Sequence, residues 1–127
     1  CIENTSKNTG TVLILALSYS SKWEIQEAIK SIVNDAKDGK LSVCDVNENT
    51  MHQYLATKNI PDPDLLIRTS GEYRISNFML CQLAYTELYF TQKLWPDFRK
   101  TDLVEAILDY QGRQRRFGKT GDQIETK

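Results

Sequence analysis

At 127 residues, 40% of them hydrophobic and 26% charged, the chain has the size and composition of one globular domain, which excludes disordered and fibrous classes. Sixteen basic residues against seventeen acidic ones leave a formal charge of −1, so a globally basic nucleic-acid binder is excluded and no nucleic-acid partner is expected. Charge is uneven: Lys93, Arg99, Lys100, Arg113, Arg115, Arg116 and Lys119 outnumber the acids between them, and the excess sits mainly at the far end.

In chain order, Val12-Leu13-Ile14-Leu15-Ala16-Leu17 is apolar on both faces, which predicts a strand buried in a parallel sheet. Ser21 with Glu24 reads as a capping box, and Ile25, Ala28, Ile29, Ile32, Val33 and Ala36 recur at helical spacing until Asp38-Gly39. Asn47 caps a shorter predicted helix reaching about Thr57, with Met51, Tyr54 and Leu55 inward. Pro61 and Pro63 bracket a turn, and Asp64 to Arg68 is a second buried strand. Helix resumes after Ser76 or Asn77, burying Phe78, Leu80, Leu83 and Ala84. Glu87 to Thr91 is a third strand, Trp95 to Phe98 a turn, and a last helix begins near Thr101 with Leu103, Val104, Ile107 and Leu108 inward. This order predicts an α/β fold with a mainly parallel sheet flanked by helices. Three strands make a thin sheet, and a buried strand close to residue 1 reads as truncated, so the chain is expected to be half of a larger domain, with 118–127 a loose tail.

The chemistry concentrates in Arg68-Thr69-Ser70-Gly71-Glu72-Tyr73-Arg74-Ile75-Ser76. Two arginines flank a Ser-Gly turn, and guanidinium forks give bidentate, charge-assisted bonds to phosphate oxygens. Arg68 ends a strand, the edge at which open α/β sheets place ligands, and a helix start after Ser76 would add free N–H groups. Plainer readings stand beside this one. Arg68 and Arg74 can pair with Glu72, Ser76 can be a helix cap, and Glu87 an ordinary solvated carboxylate. His52 receives no role, and Tyr85, Tyr89, Phe90 and Trp95 read as core or dimer surface. Neither GxxxxGK[ST] nor GxGxxG occurs, which places a generic nucleotide-binding domain far behind.

Cys1, Cys44 and Cys81 show no CxxC spacing; they fit neither a disulfide framework nor a zinc site and suggest a reducing, cytoplasmic setting. The Asn4-Thr5-Ser6 sequon carries no weight there. No apolar run approaches the ~18 residues of a membrane span, so no transmembrane segment is expected; peripheral membrane contact stays open. A start at Cys1 rather than Met suggests that upstream sequence has been removed.

The stretch from Asp64 to Phe98 goes beyond fold class. It resembles the signature region of the cis-prenyltransferases, most of all the bacterial enzymes that make long polyprenyl diphosphates. Arg113-Gln114-Arg115-Arg116-Phe117-Gly118 resembles the end of the same pattern, and Asn8 to Ile25 its mid-chain strand. The likeness covers nearly the whole chain and about the second half of the family pattern. It implies condensation of isopentenyl diphosphate onto an allylic diphosphate, with Mg²⁺, in a homodimer. It implies that Arg68, Arg74, Ile75 and Ser76 bind the isopentenyl diphosphate and that Glu87 helps hold Mg²⁺. Arg116 and Gly118 would bind substrate in trans, in the neighbouring subunit. No catalytic residue is assigned to this stretch, and alone it is expected to be inactive; the alternative is a non-catalytic diphosphate-binding or dimerisation module. Two departures stand out. The family's aspartate and glycine-rich first motif has no counterpart here. Where the family commonly has Asn-Tyr-Gly-Gly-Arg, this chain has Ser18-Tyr19-Ser20-Ser21-Lys22.

Overall fold

The structure, a computed structural model, describes residues 2–113. A short helix α1 (Ile2–Thr5) precedes a segment without regular secondary structure, then the long helix α2 (Ser21–Lys37) and the two-turn helix α3 (Glu48–Tyr54). Strand β1 (Leu65–Arg68) and strand β2 (Glu87–Phe90) follow, and α4 (Lys100–Gln111) comes last. Single 3₁₀ turns lie at Val43–Asp45 and Trp95–Asp97. The strands pair in parallel, Leu65 opposite Glu87 and Arg68 opposite Phe90, and α4 packs on β2. Helices around a parallel sheet make the fold α/β, as expected.

The sheet of the described residues has two strands, because Val12 to Leu17 does not join it. That is a correction. The segment has no regular secondary structure and pairs with no strand, with Leu13 81% and Leu17 83% exposed. A strand that is apolar on both faces needs neighbours at its edges and layers above and below it, and the described residues supply neither.

α2 forms where its periodicity predicts, but its cap lies one residue earlier than expected. Ser20 takes the extended N-cap conformation and its Oγ accepts from the Trp23 N–H, while Ser21 is the first helical residue. Glu24 is drawn inward instead of closing a box: it is 3% exposed and accepts from the Ala56 N–H at 2.9 Å and Gln82 Nε2 at 3.2 Å, with the Tyr19 hydroxyl as a further donor. Ala28 is buried below it, whereas Ile29 and Val33 are about half exposed. Asp38 and Gly39, the latter at φ +70, end the helix as expected.

Asn47 caps α3 in a reciprocal box with Thr50, and Tyr54 donates to Asp35 at 2.8 Å, tying α3 to α2. The helix stops at Tyr54, three residues short of expectation, yet Leu55 is fully buried. The helix predicted after Ser76 is absent. Ser76, Asn77 and Met79 have φ of +48, +60 and +49, and a left-handed residue cannot continue a right-handed helix. Residues 78–85 form successive turns instead. In α4 the inward positions are Asp102 and Ala106; Leu103, Val104, Ile107 and Leu108, expected inside, are exposed.

Candidate anion-binding site

Parallel pairing places the carboxyl ends of both strands at one edge, and the loops leaving that edge are sewn together. The Ser70 N–H donates to the Lys93 carbonyl at 2.7 Å, the Gly71 N–H to the Thr91 carbonyl at 2.9 Å, and the Thr91 N–H to the Arg68 carbonyl at 2.9 Å. The turn between them needs left-handed backbone at Ser70 (φ +69) and Gly71 (φ +65). Gly71 suits this for a second reason: a Cβ there would lie 2.4 Å from Gln92 Oε1. Gln92 Nε2 in turn donates to the Tyr73 hydroxyl at 2.8 Å, and the Tyr73 ring packs on Phe90 at 5.3 Å.

On this frame Arg68 is half-buried and its guanidinium has no hydrogen-bond or ion-pair partner among the described residues. Arg74 is exposed and pairs with Glu72. The two arginines therefore differ, one without a partner among those residues and the other already neutralised by an exposed pair worth ~0–1 kcal/mol. Ile75 is half-buried and its carbonyl accepts from the Phe78 N–H at 3.0 Å; Ser76 is exposed, with its backbone left-handed. Ser76 begins no helix, so the free N–H groups expected of a helix start are not supplied there.

Glu87 lies at the opposite edge. The register sets it level with Leu65, three residues from Arg68, or roughly 10 Å along the strand at ~3.3 Å per residue. Its Oε2 accepts from Arg113 Nη1 at 3.0 Å; the same nitrogen reaches the Leu88 carbonyl at 2.9 Å, and Nη2 pairs with Asp109 at 2.5 Å. The Glu87 carboxylate beside Arg113 raises the guanidinium's pKa above its ordinary value. No group of three or more His, Cys, Asp or Glu side chains able to hold a metal ion occurs among the described residues. A single carboxylate neutralised by a guanidinium does not by itself fit Mg²⁺, which takes hard oxygen donors in an octahedral set. Arg116 and Gly118 lie outside the described residues.

Reasoning from sequence missed the residues that hold this site in place. Asn77 bonds to the first turn of α2, Lys93 joins the Ser70 turn to Asp102 at 2.6 Å, and Arg113 fastens α4 to β2. Their signals were faint: one polar residue before an apolar run, one lysine after a strand, one arginine in a basic tail.

Comparison with known proteins bears on what this edge can do. The family model described as "Putative undecaprenyl diphosphate synthase" matches residues 1–118. An isoprenyl transferase of Chlorobaculum tepidum is 55% identical over 125 residues, covering 98% of this chain and 47% of the relative. A ditrans,polycis-undecaprenyl-diphosphate synthase of Vibrio parahaemolyticus, named as specific for (2E,6E)-farnesyl diphosphate, is 49% identical over 94% of this chain and 48% of its own length. Among solved structures, lavandulyl diphosphate synthase from Lavandula x intermedia, in complex with dimethylallyl diphosphate, matches with a TM-score of 0.86 and 46% identity, over 91% of this chain and 50% of that one. The chain thus spans about half the length of the relatives it matches. With the family model matching nearly end to end and a curated relative 55% identical over 125 residues of this chain, the chain belongs to the cis-prenyltransferases of the undecaprenyl diphosphate synthase family.

Proposed function

We propose that this chain forms the isopentenyl-diphosphate side of a cis-prenyl chain-elongating active site, as the C-terminal half of a single domain spanning 1–127 here. The carrying observation is the Arg68 guanidinium, without a partner among the described residues and half-buried at the carboxyl edge of a parallel sheet. A diphosphate carries several negative charges, and a fixed guanidinium offers it two parallel N–H bonds in a partly dry setting. Arg74 joins once the anion competes Glu72 away, and Ser76 adds a hydroxyl. Ile75 contributes apolar wall.

In the reaction of this reading, the isopentenyl carbon bonds to the allylic carbon as the allylic C–O bond breaks, diphosphate departs and a proton is lost. In this reading Arg68, Arg74 and Ser76 hold the incoming unit, no catalytic group is assigned to this chain, and the isolated chain is inactive. A long polyprenyl product, of undecaprenyl type, belongs to the whole enzyme. So do the allylic diphosphate site, a homodimer in which Arg116 and Gly118 act across the subunits, and a cytoplasmic location with peripheral membrane contact. No helix among the described residues is long and apolar enough to cross a membrane. Mg²⁺ would enter this reading with Glu87 as one carboxylate donor only on release of its Arg113 partner and with further hard oxygen donors.

Calorimetry of the chain with isopentenyl diphosphate tests the reading. Binding is expected, weakened about 10-fold or more by Arg68→Ala, a loss of the size of one charge-assisted hydrogen-bond pair. Equal affinity in that variant sinks the assignment. The alternative, a non-catalytic dimerising module, draws on the exposed Trp95, Leu103 and Leu108 around α4. Self-association without diphosphate binding would favour it.

A further inference from the structure

The loop that carries Arg74 and Ser76 is anchored at both ends. Upstream, Ser70 and Gly71 are bonded to the 91–93 segment. Downstream, Asn77 meets the first turn of α2 with its backbone and both side-chain ends. Its carbonyl accepts from the Ser21 N–H at 3.0 Å, its Oδ1 accepts from the Lys22 N–H at 3.0 Å, and its Nδ2 donates to Ser20 Oγ at 2.9 Å. The wholly buried Ser21 hydroxyl accepts from the Leu80 N–H at 2.9 Å. Gln82, 2% exposed, extends the joint inward through Glu24 and Thr57 at 3.2 and 2.8 Å.

These contacts consume the opening N–H groups of α2. The helix start therefore binds no anion directly; it grips the loop that carries the candidate anion-binding groups. The gripping hydroxyls belong to Ser20 and Ser21. A glycine at either position would have no side-chain acceptor for Asn77 or Leu80, so the fastening depends on the serine hydroxyls. Asn77 suits its place, since asparagine tolerates a φ of +60 better than most residues.

We infer that Asn77 with Ser20 and Ser21 forms a latch that positions Arg74 and Ser76 for a diphosphate, acting through the loop without touching the ligand. The inference rests on the isopentenyl-diphosphate reading above. It is tested on the 127-residue chain by calorimetry with isopentenyl diphosphate and by amide exchange at Lys22 and Leu80. Asn77→Gly keeps the left-handed backbone free of strain and removes only the side-chain bonds, and Ser21→Gly removes the bond to Leu80. Each variant is expected to weaken binding about tenfold, the scale of one or two lost hydrogen bonds. Exchange should quicken at Lys22 in the first and at Leu80 in the second. Asn77→Asp retains the Oδ1 acceptor and recovers most of the affinity, which a loss of general stability would not allow. Should the native chain bind while both glycine variants bind equally well, the latch is overturned. Failure of the native chain to bind overturns the diphosphate reading and the latch's role in it, and leaves the exchange result to report the fastening alone.

Discussion

Gly71 shows how much one position can demand. Its φ of +65 costs an L-residue about 1–2 kcal/mol, and the space a Cβ would need is held by the Gln92 amide. Gly71→Ala is therefore expected to lower stability by about 1–2 kcal/mol and to turn Gln92 away from Tyr73, read out by thermal melting and by the Tyr73 ring resonances. An unchanged melting temperature would contradict the strain. The Ser-Gly turn and the arginines were legible in the sequence because turn chemistry and guanidinium chemistry are local. Which arginine lacks a partner among the described residues was not. Glu72 lies between them in sequence, and only the folded turn shows that it serves Arg74 alone.

At the scale of elements, α4 illustrates a polar residue taking an inward place. Asp102 accepts from the Arg99 N–H at 2.7 Å, closing the helix start, and from Lys93 at 2.6 Å. Lys93 beside it, then the Arg99 N–H, hold its carboxyl below the ordinary aspartate value. A depressed folded pKa adds stability that is fully present above the unfolded value of about 3.9 and is lost as pH falls through the lower folded one. Melting temperatures of the native chain and Asp102→Asn should thus differ most above pH 5 and converge towards pH 2; a constant gap would refute the linkage. The onset of α2, its stop at Gly39 and the Asn47 cap were readable from local patterns. The helix expected after Ser76 was not, since its apolar spacing is helical and what defeats it is the backbone at Ser76, Asn77 and Met79, held from α2 some 55 residues away in sequence. Glu24 misled for the same reason: a partner in reach on the helix lost to donors from two other segments.

For the molecule as a whole, the apolar stretch Val12 to Leu17 and the cavity of about 370 Å³ beside it, walled by Ile14, Ala16, Tyr19, Ile60 and Phe78, form one unfilled face. Relatives matched over about half their length carry as much chain again. Mixed with the half of the Chlorobaculum tepidum enzyme that it does not match, the chain is expected to form a one-to-one complex in analytical ultracentrifugation, abolished by Leu13→Asp with Leu15→Asp. No complex, or one indifferent to those changes, would mean that the face serves another purpose. Apolarity on both sides of that stretch predicted a central strand, and among the described residues no strand pairs with it. Lys93 has a different consequence. Its carbonyl holds the Ser70 turn and its ammonium holds Asp102, so one residue links that turn to the first turn of α4. Under the proposed diphosphate reading, reciprocity then requires that whatever an anion adds to the order of the Ser70 turn it adds to the cohesion of α4, and that loosening the helix lowers affinity for the anion by the same factor.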